Sequence, residues 1–101
     1  MLLELSVIPL GRGRSLSQDI AEAVMIVDAS GLDYQLTSTG TLIEGNLEEL
    51  MDLAKKCHLI IRQKTGRVVT LIKIDDYEDR KGRLVSAVKS VEEKVGKEFK
   101  K

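Results

Sequence analysis

Three observations on this 101-residue chain predict an α+β fold. Residues 2–8 alternate, with Leu3, Leu5 and Val7 on one side and Glu4 and Ser6 on the other, the period of a strand with one face in a core. Apolar residues recur at helical spacing in three later stretches. Short β-prone runs lie between them, which gives the order β-α-β-β-α-β followed by one further helix. Two split β-α-β units with right-handed crossovers close such a chain into a four-stranded antiparallel sheet with helices on one face. That is the ferredoxin-like sandwich, here with an extra C-terminal helix.

Each element has its own reason. Pro9 has no N–H for a sheet ladder and ends the first strand. Gly11 and Gly13 then carry a loop between Arg12 and Arg14. Ser15, with Gln18 three residues on, fits a capping box, and Ser17 is the competing cap. The first helix follows to about Ser30, with Leu16, Ile20, Ala23, Val24 and Val27 as its stripe and Gly31 as its terminator. Residues 33–38 and 41–44 read as a hairpin turning at Thr39-Gly40. Asn46 and Glu49 cap a second helix with the stripe Leu47, Leu50, Met51, Ala54, Cys57 or His58, and Ile61, closed by Gly66. Val68–Ile74 is the most β-prone run and ends at Asp75-Asp76. The last helix carries Leu84, Ala87, Val88, Val91 and Val95 on one side. Residues 97–101 form a frayed tail to a single domain of residues 1–101.

Composition narrows the function classes. Apolar residues are 43% and charged residues 32% of the chain, which excludes a disordered composition. Sixteen basic residues balance sixteen acidic ones, so there is no general electrostatic footprint for nucleic acid or a membrane. No run of apolar residues is long enough to span a bilayer. The leading Met-Leu-Leu-Glu-Leu lacks the pattern of a signal peptide, and the single cysteine makes no internal disulfide, so a cytoplasmic location is expected. The fourth strand is apolar on both alternations (Val68, Ile72, Ile74 against Val69, Leu71), which in so small a chain predicts a homo-oligomer.

The candidates for chemistry each have a structural counterpart. The loop of residues 11–17 ends at a helix N-terminus with two arginines and suits an anion or a polar ring, yet such loops are also ordinary connectors. Its Gly-x-Gly lacks the remainder of a dinucleotide fingerprint or a P-loop. His58 is the only histidine and reads as a packed helix residue without an assignable nucleophile. Cys57 points about 100° away from it on a helix, which disfavours a dyad. Asp75, Asp76 and Asp79 match no cation loop and read as strand-end and helix-start residues. Thr37, Ser38, Thr39 and Thr41, followed by Glu44, form a hydroxyl-rich hairpin; these are ordinary strand residues, but they also suit a neutral heteroaromatic such as an aminopyrimidine. RNA binding on this fold needs stacking aromatics, and Tyr34, Tyr77 and Phe99 all lie outside the first, third and fourth strands.

The ordered set Val7–Gly11, Ser15–Ser17, Tyr34 with Gly40–Gly45, His58, and Arg67–Asp76 resembles the small thiamine-binding (YkoF-like) family, over residue 3 to about residue 92. The resemblance implies ferredoxin-like subunits assembling through their sheets into dimers or tetramers. It also implies a small-molecule ligand, thiamine or its hydroxymethylpyrimidine part, with no demonstrated catalysis; beside it the residues themselves lead to the expectation of no cofactor, no metal, no nucleic acid and no membrane. On that basis Pro9, Ser15, Ser17, Thr37, Thr39, Thr41 and Glu44 are the expected ligand-binding residues. The chain departs from the family pattern at Tyr77, at Ser38-Thr39, and in the basic pair Arg12 and Arg14, which favours a phosphorylated ligand. Two other readings stand beside it: a small enzyme acting on a phosphorylated metabolite at residues 11–17, and a purely structural oligomerisation module.

Overall fold

The computed structural model describes residues 1–11, 13, 16–78 and 81–100. Four strands, β1 (Leu2–Pro9), β2 (Asp33–Leu36), β3 (Thr41–Glu44) and β4 (Val68–Asp75), alternate with the helices α1 (Leu16–Ala29) and α2 (Leu47–Arg62), and α3 (Arg83–Val95) follows. The sheet order is β2-β3-β1-β4, with every neighbouring pair antiparallel. This is the α+β, ferredoxin-like arrangement expected from the element order, with β1 central and β4 an edge.

Alternation along β1 fixes which face is buried. Leu3, Leu5 and Val7 pack with Ile43 of β3 against Ala23 and Val27 of α1 and Leu50, Leu53, Ala54, Cys57 and Ile61 of α2. Burying side chains of this size contributes about 1.5–3 kcal/mol each relative to exposure. The α2 stripe is therefore rotated from the one expected: Leu53 is buried, while Leu47 and Met51 are exposed. The Asn46 cap is as predicted, since Asn46 Oδ1 accepts from Glu49 N at 2.9 Å and Glu49 Oε1 accepts from Asn46 N at 3.2 Å. Gly66 does not close α2; the helix stops at Arg62, with Gln63 as its right-handed cap.

β1 ends at Pro9 as expected, opposite Val68, where a missing N–H is tolerated. One other expectation is corrected by tertiary contacts. Gly40 is needed for close approach rather than for a left-handed turn: a Cβ there would stand 2.9 Å from Leu5 O.

The start of α3 is held from the far side of the sheet. Its N-cap is Gly82, with no side-chain cap of its own. Glu44, on the alternation opposite to buried Ile43, accepts from Gly82 N at 2.7 Å and from Leu84 N at 2.9 Å. Asp75 pairs with Arg83, whose guanidinium lies 5.2 Å from the Tyr77 ring centroid. The cap thus comes from Glu44 rather than from the Asp75-Asp76 pair; Asp79 lies outside the described residues. No helix among the described residues is long and apolar enough to cross a membrane.

Candidate functional site

A half-open recess of about 190 Å³ lies beneath the first half of α1. Leu16, Ile20, Ala23 and Val24 of α1 form its roof, Leu5 and Val7 of β1 its floor, and Leu36 with residues 37–41 one wall. Cys57 of α2 reaches it from the core. The recess explains why two members of the predicted α1 stripe are poorly buried. Leu16 and Ile20 stay 39% and 40% exposed because the hairpin opposite them stands off rather than packing.

The hydroxyls along the wall divide into committed and free ones. Thr37 Oγ1 donates to Gly40 O at 2.9 Å and accepts from Thr39 N at 3.4 Å, which shapes the hairpin. Ser6 Oγ donates to Thr39 O at 3.1 Å and ties the hairpin to β1. The hydroxyls of Ser38, Thr39 and Thr41 have no hydrogen-bond partner among the described residues. Thr41 is only 7% exposed as a residue, and since no buried side-chain oxygen among the described residues lacks a partner, its hydroxyl is open to the recess as donor and acceptor. That is the polar handle of the recess.

Charge is absent from the described lining. Its one titratable group is Cys57, whose Sγ donates weakly to Ala23 O at 3.5 Å. Desolvation pushes this thiol from its ordinary 9.0 up to about 11, so at neutral pH it is protonated and a poor nucleophile. His58 faces away from the recess and pairs its Nδ1 with Thr70 Oγ1 at 2.6 Å, bridging α2 to β4.

Of the expected ligand-binding residues, the structure brings Thr37, Thr39 and Thr41 to the recess. Ser17 is exposed on α1 and Pro9 is buried at the end of β1; neither lines it. Glu44 is also outside it, spent on the start of α3. Ser15, Arg12 and Arg14 lie outside the described residues. Sequence reasoning missed the apolar roof, because Leu16 and Ile20 sit at core spacing and nothing local marks a gap beneath them. Leu36, likewise, reads as an ordinary strand residue.

Fold and recess define a class: a ferredoxin-like domain with a hydroxyl-edged pocket under its first crossover helix, uncharged among the described residues. The chain belongs to the thiamine-binding protein family, whose profile matches residues 3–92. A UPF0045 protein of Methanothermobacter thermautotrophicus is 40% identical over 95 residues, spanning 91% of this chain and 96% of the relative. One from Methanocaldococcus jannaschii is 30% identical over 93 residues, spanning 92% and 93%. The crystal structure of a hypothetical protein from the latter organism superposes with a TM-score of 0.84 at 30% identity, covering 91% of this chain and 95% of that one. A candidate thiamine biosynthesis or salvage protein of Thermotoga maritima superposes with a TM-score of 0.73 at 25% identity, covering 94% of each chain.

Proposed function

We propose that this protein binds thiamine, or its hydroxymethylpyrimidine part, without catalysis, as a cytoplasmic oligomer that serves as carrier, buffer or sensor. The observation that carries the reading is the recess itself, apolar on roof and floor and edged by the hydroxyls of Ser38, Thr39 and Thr41. An aminopyrimidine offers ring nitrogens and an amino group to such hydroxyls and a flat apolar face to Leu5, Val7 and Ile20. At about 190 Å³ the recess is smaller than the roughly 300–1,000 Å³ of a drug-sized site. It suits one ring, with a cationic second ring left in water. The protonated Cys57 and the remote His58 favour binding over nucleophilic chemistry.

Assembly is part of the same reading. β4 is an edge strand with no strand beyond it among the described residues, and Val69, Leu71, Ile72 and Ile74 along it are all exposed. Covering that strand through the sheets removes both liabilities.

Calorimetric titration with thiamine, hydroxymethylpyrimidine and thiamine phosphate tests the ligand. Saturable heat at fixed stoichiometry supports the reading. Absence of heat with all three, together with an unchanged melting temperature, refutes it.

A further inference from the structure

We propose that the inner end of the recess selects its ligand by size, with Ala23 and Cys57 as the specificity-determining residues, and that it takes a methyl-sized substituent on a heteroaromatic ring. This rests on the ligand reading above and goes one step beyond it: it says which edge of the ring enters and what limits that edge. Burial grades along the recess. Leu16, Ile20 and Leu36 at its mouth are exposed, whereas Leu5, Val27 and Cys57 at its inner end are 4%, 1% and 0% exposed. The hydroxyls follow the same gradient, since Ser38 and Thr39 are exposed and Thr41 is buried. Thr41 stands opposite Leu5 in the pairing of β1 with β3, so one hydroxyl is set beside the apolar inner end.

Two effects decide what enters. A charged group would lose its water there and find no charged partner among the described lining residues, so a phosphate or a cation stays at the mouth. An apolar group gains by entering, in proportion to the area it buries. The room for it comes from Ala23. The roof is otherwise leucine, isoleucine and valine, and Ala23 is the one position in it whose side chain is a single methyl. Cys57 meets the same turn of α1, because its Sγ donates to Ala23 O at 3.5 Å. A buried, protonated thiol is a small apolar surface and brings no charge to that end. A ring nitrogen next to the substituted carbon then meets the Thr41 hydroxyl. The inserted edge is thus an alkyl carbon beside a nitrogen, as in an aminopyrimidine with a methyl between its ring nitrogens.

The test is calorimetric titration with three probes: hydroxymethylpyrimidine carrying hydrogen, methyl or ethyl at the carbon between its ring nitrogens. The proteins are the wild-type full chain, Ala23→Val and Cys57→Ala, with the fold of each variant checked by circular dichroism. Wild type is expected to bind the methyl probe about fourfold more tightly than the hydrogen probe, the worth of one buried carbon. It should bind the ethyl probe about tenfold or more weakly than the methyl probe. Ala23→Val should lose the methyl preference and bind the hydrogen probe at least as well. Cys57→Ala should bind the ethyl probe at least as tightly as the methyl one. Equal wild-type affinity for all three probes overturns the proposal and leaves the ligand reading intact. So does a methyl preference that persists in both variants, since other residues then set the size. Binding of none of the three overturns the ligand reading and the proposal together. The wild-type ranking needs no substitution, so it decides even where a variant fails to fold.

Discussion

Thr41 sits where two roles meet, on the buried face of β3 and at the wall of the recess. Replacing it by valine keeps shape and removes one hydrogen-bonding group, a loss of about 1 kcal/mol. Titration of Thr41→Val should therefore show roughly fivefold weaker binding, and Thr41→Ser should retain most of the affinity. Equal affinity in wild type and Thr41→Val would place the ligand elsewhere. Cys57 gives a second residue-scale readout. Its thiol is raised in the folded state, so its neutral form is the one that folding favours. That contribution to stability is complete below about 9.0 and drains as pH rises towards about 11. Denaturant melts of wild type should lose more stability over this window than those of Cys57→Ser, and a bound ring should slow alkylation of the thiol. Gly40→Ala belongs at this scale too. The 2.9 Å approach to Leu5 O forces the hairpin to move, at a cost of about 1–3 kcal/mol in a thermal or chemical melt.

Among the elements, α3 depends most on another part of the chain. Its first turn has no local cap, and the Glu44 carboxylate, thirty-eight residues away from Gly82, takes its place. Glu44→Ala should destabilise the start of α3 by about 0.5–2 kcal/mol, the range for lost caps. Hydrogen exchange at the Gly82 and Leu84 amides reads this directly, and unchanged protection there would show that the carboxylate carries no weight. By contrast, α2 is capped from within by Asn46 and Glu49, and its loss in Asn46→Ala should stay local to the first turn of α2.

At the scale of the whole molecule, one layer of helices over one face of a sheet leaves surfaces that a single copy cannot cover. The fourth strand is at the edge of the sheet with apolar side chains on both alternations, and Leu71 is 58% exposed. Leu71→Glu should lower the assembled mass while leaving the circular dichroism of the subunit unchanged, since the side chain contributes nothing to the buried core. Ligand titration of that variant then separates a recess complete in one subunit, which keeps its affinity, from one that needs the neighbour.

Much of the fold was legible because its signals are local. The alternation of Leu3, Leu5 and Val7, the Asn46–Glu49 cap and the β-prone run at residues 68–74 each lie within a few residues, and their order alone selects the topology. Part of the site was legible for the same reason, since the hydroxyls of Thr37, Thr39 and Thr41 crowd one hairpin. What only the tertiary structure decided depends on distances between elements. Spacing cannot tell that Leu16 and Ile20 roof a gap rather than fill a core, that Glu44 turns to cap a helix from the opposite face, or that Leu53 outranks Leu47 in the packing of α2. Periodicity names the face of an element; only the neighbour's position says whether that face meets protein, a cavity or water.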